Sequence, residues 1–141
     1  MTKLPRIAVA TRVAVPPAVA WTAFTSSGAI TQWNQASPDW HCPSADVDLR
    51  VGGRHRARME ARDGSMGFDL TGTYAEVDSP NALTLVLDDG RHARTTFVAD
   101  GTGTRVTTQF DPETLHPPEM QREGWQAILD SYAAYVARRA Q

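Results

Sequence analysis

Residues 7–15 alternate in polarity, with Ile7, Val9, Thr11, Val13 and Val15 on one side and Ala8, Ala10, Arg12 and Ala14 on the other. A period of two predicts a strand. Pro16-Pro17 stops it, and proline suits the first turn of a helix. That helix is predicted over about 17–25, with Trp21 and Phe24 three apart on one face. Ser27 is the candidate cap of a second short helix in which Ile30 and Trp33 repeat the spacing. From Asn34 to Pro43 the chain reads as a loop, although it carries Trp40, His41 and Cys42.

Six strands are then predicted in succession, over about 45–51, 54–62, 66–78, 82–88, 91–99 and 103–110. Their separators are Gly52-Gly53, Asp63-Gly64, Ser79-Pro80-Asn81, Asp89-Gly90 and Asp100-Gly101. Separators this short join antiparallel neighbours, so the pattern is a meander. A linker with Pro112, Pro117 and Pro118 leads to a last helix over about 118–139. Trp125, Ile128, Leu129, Tyr132 and Val136 form one apolar stripe along it, with Glu119 and Glu123 near its start and Arg138 and Arg139 near its end. Such a stripe needs a broad apolar surface, and the sheet is the candidate.

Register follows from charge. Arg54, Arg56, Arg58 and Arg62 share one strand face with Glu60, and Asp46 and Asp48 precede the diglycine. A three-residue loop, Val51-Gly52-Gly53, with its last glycine at positive φ would set Asp48 opposite Arg56 and Asp46 opposite Arg58. Asp88-Asp89-Gly90 reads the same way, aligning Leu83, Leu85 and Leu87 with Thr95, Ala93 and Arg91. The arginines read first as a solvated face with cross-strand ion pairs, and second as a basic stripe for phosphate or nucleic acid.

Composition narrows the classes. The 141 residues fit one domain spanning 1–141, with 41% hydrophobic and 21% charged residues. A net charge of −2 gives no electrostatic reason to expect nucleic acid or an anionic membrane as partner. Cys42 is the single cysteine, so no intrachain disulfide forms. Arg6 and Arg12 interrupt the N-terminal apolar residues, which argues against a signal peptide, and a cytoplasmic location is expected. His41 beside Cys42 lacks the spacing zinc requires, and no metal or cofactor is expected.

Several motifs occur in an order and spacing that resemble one family. They are Trp21 with Phe24, Trp33, Asp48-Leu49-Arg50-Val51-Gly52-Gly53, Gly72-Thr73-Tyr74 followed by Glu76-Val77, Gly103-Thr104-Arg105-Val106, and Gly124-Trp125. From about Val13 onward, the chain resembles the single-domain relatives of the activator of Hsp90 ATPase (AHSA1-like), within the START/Bet v 1-like (SRPBCC) superfamily. The resemblance implies an α+β helix-grip fold, an antiparallel curved sheet of about seven strands wrapped on a long C-terminal helix, with two short helices after the first strand.

It also implies a cavity for a small apolar or aromatic ligand between sheet and helix. The concave face should then collect Val9, Val13, His55, Met59, Phe68, Leu70, Tyr74, Leu83, Leu85, Phe97, Val106 and Phe110, facing the stripe of the last helix. The cavity candidates are His55, Met59, Phe68, Leu70, Tyr74, Leu85, Phe97, Trp125, Leu129 and Tyr132. Trp33, Trp40 and His41 are candidates for its mouth. His55 stands where relatives often carry an aromatic residue, and it and the tyrosines are the groups that would orient a ligand's polar end.

Two other roles use the same fold. One is a polyketide cyclase or aromatase, moving protons with His55 or Tyr74. The other is a chaperone-associated, Hsp90 activator-like interaction module, working through exposed apolar surface around Trp40. No catalytic residue is assigned by the resemblance. A homodimer through Trp40 or an edge strand is a further reading the sequence leaves open.

Overall fold

The computed structural model describes residues 5–139. In chain order the elements are β1 (Ile7–Val13), α1 (Pro17–Thr25), α2 (Ser27–Trp33), β2 (Trp40–Val47), β3 (Arg54–Ala61), β4 (Gly67–Asp78), β5 (Ala82–Leu87), β6 (His92–Asp100), β7 (Gly103–Phe110) and α3 (Pro118–Arg139). The seven strands form one antiparallel sheet in the order β1-β7-β6-β5-β4-β3-β2. Strands β2 to β7 are a plain meander, and β1 closes the far side by pairing with β7. This is the helix-grip architecture: α3 lies along the concave face over β1, and α1 and α2 fill the remaining end.

The apolar pattern dictates which face is concave. Val9, Val13, Ala57, Met59, Tyr74, Leu83, Phe97, Val106 and Phe110 are buried there, with Leu129, Tyr132 and Val136 of α3 above them. A bulge in β4 between Tyr74 and Glu76 places one extra residue in that strand, so Tyr74 and Val77, three apart, both belong to the inner face. Aromatic rings occupy the closed end. Phe24 stacks on Trp33 at 5.3 Å and meets Phe97 and Tyr132 edge-on. The Tyr132 hydroxyl donates to the Ala20 carbonyl of α1 at 2.7 Å, tying the two helices together.

Helix α3 is anchored at the N-terminal end of its apolar stripe. Trp125 stacks on Phe110 of β7 with ring centroids 4.1 Å apart. Next to it, the Gln126 amide donates to the Ala10 carbonyl at 3.0 Å and accepts from the Ala10 N–H at 3.4 Å. Buried Gln121 donates to the carbonyls of Glu113 and His116 and accepts from the Glu113 N–H, which fastens the linker before the helix. Among the described residues no helix is long and apolar enough to cross a membrane.

Several expectations are corrected. Residues 40–47 form a strand where a loop was expected as far as Pro43, and that strand ends at Val47 rather than 51. Pro43 lacks an N–H, and it sits in a register shift between His41 and Ser44, which breaks the period of two that marks a strand. The β2–β3 connection is longer than three residues. Asp46 opposes Arg56 and Ser44 opposes Arg58, two positions away from the expected register, while Asp48 N–H donates to the Arg54 carbonyl at 3.0 Å. A shift of two keeps every side chain on its face, so the charges still meet, with new partners.

The glycine at positive φ is Gly52 (85°), not Gly53. Gly53 is required for a different reason: a Cβ there would collide with the Asp48 carbonyl oxygen. Ser26, not Ser27, holds the cap position of α2, and its side chain makes no capping bond. The β5–β6 register is as read, with Leu83 opposite Thr95 and Leu85 opposite Ala93, and Gly90 takes the left-handed turn.

On the convex face the arginines find carboxylates. Arg54 pairs with Asp88, Arg56 with Asp46 and Asp69, Arg58 with Glu60 and Asp69, and Arg94 with Glu76. The stripe is thus a network of exposed ion pairs, each worth at most about 1 kcal/mol.

Candidate functional site

Between the concave face and α3 lies an apolar cavity of about 140 Å³. Strands supply Val9, His55, Leu70, Tyr74, Leu83, Leu85, Leu87, Ala93, Thr95 and Thr108; the helices and the residue after α2 supply Phe24, Thr25, Ile30, Trp33, Asn34, Trp125, Ile128 and Leu129. A cavity near 150 Å³ lined by aliphatic and aromatic groups stays dry and takes a benzene-sized guest. No lining residue is an Asp, Glu, Lys or Arg.

The polar groups of the wall come mostly in pairs. His55 on β3 and Tyr74 on β4 are diagonal neighbours, because His55 opposes Gly72 two residues away. The His55 Nδ1 lies 3.0 Å from the Tyr74 hydroxyl, with the rings edge-on at 5.9 Å. The diglycine loop fixes this geometry from behind. Gly52 N–H donates to the Tyr74 carbonyl at 2.8 Å, and Tyr74 N–H donates to the Gly53 carbonyl at 2.9 Å. On the opposite side of the sheet's curve, the hydroxyls of Thr95 (β6) and Thr108 (β7) share a hydrogen bond of 2.7 Å. Each pair holds two polar hydrogens and uses one between its members, so each retains a donor for a third group.

Burial governs the acid–base character of the first pair. It pushes the His55 imidazole from its ordinary 6.5 down to about 4, and it raises the Tyr74 phenol above the usual tyrosine range. At neutral pH both are uncharged, and the pair is a hydrogen-bonding unit. A folded-state value below the unfolded one means that the unfolded chain takes up a proton first as the pH falls. The contribution is present above about pH 6.5 and is lost toward pH 4. We expect urea unfolding to show about 2 kcal/mol less stability at pH 4.5 than at pH 7, with the difference largely abolished in His55→Phe. An unchanged pH slope in that variant would show that His55 is not the group responsible.

Of the residues singled out in the sequence, His55, Leu70, Tyr74, Leu85, Trp125 and Leu129 meet around the cavity, and Trp33 joins them. Met59, Phe97 and Tyr132 lie in the packed core instead. Phe68 is half exposed and carries the Trp40 ring against it at 6.0 Å, outside the cavity. Trp40 and His41 belong to edge strand β2, where His41 Nε2 stands 3.8 Å from Glu60. Sequence reasoning passed over Phe24, Ala93, Thr95, Thr108 and Asn34 as lining groups. The threonines carried a usable signal, since both alternate with apolar residues on inward-facing positions. Among the described residues no group of three or more His, Cys, Asp or Glu is placed to hold a metal ion.

The same frame recurs in known proteins. The chain is similar to the AHSA1-like protein from Aeromonas hydrophila, with 40% identity over 95% of this chain and 94% of that one, and its solution structure superimposes with a TM-score of 0.86. A solution structure from Cytophaga hutchinsonii is 38% identical over 96% of this chain and 94% of that one, with a TM-score of 0.82. A crystal structure of a Nitrosomonas europaea protein shares the fold at 21% identity, covering 96% of each chain with a TM-score of 0.84. No curated protein matches the sequence. Residues 14–137 match the model of the activator of Hsp90 ATPase homolog 1-like family, a span that takes in the diglycine hairpin and all but the last two residues of α3, and the chain belongs to that family.

Proposed function

We propose that this protein binds a small apolar or aromatic molecule in the cavity beneath α3. The observation that carries the reading is an unfilled, almost wholly apolar space of about 140 Å³ in a core otherwise packed with aromatic rings. Folding tends to close such a space, because each missing contact forfeits dispersion energy. Here rigid neighbours, the Phe110–Trp125 stack and the Gln126 clamp, hold the helix off the sheet. A guest would gain from leaving water at about 25 cal/mol per Å² of apolar surface, less the cost of its lost freedom.

Toluene is a suitable probe, and Trp33 and Trp125 in the cavity wall report its entry by fluorescence. Saturable binding with Kd of about 1 mM or tighter is the expected result. A linear, unsaturable response up to the solubility limit would overturn the reading. Native and denaturing mass spectra of freshly purified protein add the natural guest: a mass that vanishes on denaturation names its class.

A cyclase-like enzyme is the second reading, favoured by the convergence of two ionisable groups at 3.0 Å. Their protonation states weigh against it. A base near 4 and a phenol above its usual range are both far from neutral pH, where proton transfer by side chains is most efficient. The same pair suits ligand orientation, which asks only for a fixed donor or acceptor.

A further inference from the structure

Asn34 is the residue that the cavity leaves unexplained. It follows α2 directly, its backbone N–H closes that helix on the Ile30 carbonyl at 3.0 Å, and it is 93% buried, being 7% exposed. Its side-chain carboxamide makes no hydrogen bond to the protein among the described residues, its polar atoms are accessible rather than sealed in the core, and Asn34 lines the cavity. An accessible carboxamide in an otherwise apolar wall has its donors and its acceptor free for a guest. Its neighbour Trp33 does not share the problem, because the indole N–H donates to the Ala23 carbonyl at 2.9 Å. His55–Tyr74 and Thr95–Thr108 each keep only one donor to spare, and the Thr25 hydroxyl donates to the Trp21 carbonyl, whereas the Asn34 carboxamide has two donors and an acceptor uncommitted.

We infer that the guest of this cavity is an uncharged single-ring molecule bearing one hydroxyl or carbonyl group, and that Asn34 is the residue that recognises that group. The inference rests on the proposed cavity function and specifies its ligand class. Size sets the single ring, since about 140 Å³ matches the space that accommodates benzene. Chemistry sets the polar group, since a carboxamide offers both donors and an acceptor. The absence of Asp, Glu, Lys and Arg from the wall sets the neutrality, because an ionised guest would enter without a counter-charge.

Phenol and toluene are nearly isosteric and make the test. The wild type should bind phenol about five- to tenfold more tightly than toluene, relative to their partition between water and an apolar solvent. Asn34→Leu should remove that preference while keeping toluene, whose binding doubles as proof that the variant is folded. Asn34→Ala serves if the leucine variant does not fold. In the wild type, the Asn34 side-chain NH₂ resonances should shift with phenol and stay in place with toluene. Benzyl alcohol should bind and benzoate, of similar size, should not. A phenol-to-toluene ratio that Asn34→Leu leaves unchanged, or benzoate binding as well as benzyl alcohol, would overturn the inference while leaving the cavity reading intact. Failure of every probe to bind would remove both.

Discussion

Tyr132→Ala should destabilise the protein by about 4 kcal/mol and lower Tm by roughly 10–15 °C. Among the described residues no side chain is more deeply placed: it is fully buried, with Phe24 and Trp33 each edge-on to it at 5.3 Å. Truncation removes the ring and leaves a void that three separate elements would have to collapse to fill. It also removes the hydroxyl that donates to the Ala20 carbonyl. Tyr132→Phe separates the two contributions, and its cost should be about 1 kcal/mol, the net worth of one neutral hydrogen bond. Urea denaturation of both variants measures the split. A loss below about 1.5 kcal/mol for the alanine variant would mean that α1 and α3 repack without the ring.

Filling the cavity should have the opposite signature. Ala93 lies on the wall of the cavity, opposite Leu85 in the β5–β6 pair. Ala93→Leu puts three more carbons into the empty space, so a six-membered ring no longer fits. Toluene affinity should fall by about 100-fold, equivalent to about 2.7 kcal/mol. Stability should hold or rise by about 0.5–2 kcal/mol, as it does when a void is filled without strain. Loss of binding with gain of stability is the informative combination, because a merely damaged fold loses both. Undiminished toluene binding in a stable Ala93→Leu protein would place the guest elsewhere.

Much of this fold was legible because its signals are local. The alternation at Ile7–Val13, the turn residues between successive strands and the stripe on α3 each specify one element without reference to the others. The β5–β6 register could be read because a single turn sets it. Where two structural demands overlap, the sequence is harder to read. The β2–β3 loop is long because its glycines also dock on the Tyr74 backbone of β4, a third strand that no local rule takes into account. Strand β2 was hidden by Pro43, which an edge strand can tolerate at a bulge.

The site was legible in part for a related reason. Inward-facing parity picks out His55, Leu70, Tyr74 and Leu85, but parity cannot say where along the strand the helices end and the cavity begins. Phe68 shares the parity of Leu70 and Tyr74 and yet lies half exposed beyond the cavity. Tyr132 has the spacing of a lining residue, but its hydroxyl is already committed to α1. Asn34 carried no signal at all, because an asparagine after a helix is ordinarily read as a turn residue.

The Gln126 clamp bears on how copies of this protein can meet. Strand β1 is one border of the sheet, and the backbone groups of Ala10 that would pair with a foreign strand are those that Gln126 engages. The side-chain amide stands where a neighbouring strand's peptide would be. The other border, β2, is interrupted by its bulge and by Pro43, which has no N–H to offer. Neither border presents an unbroken ladder, so the sheet is guarded against growing from one molecule into the next. A crowded solution of this protein should therefore resist β-type aggregation, and any dimer it forms would be joined through side-chain surfaces.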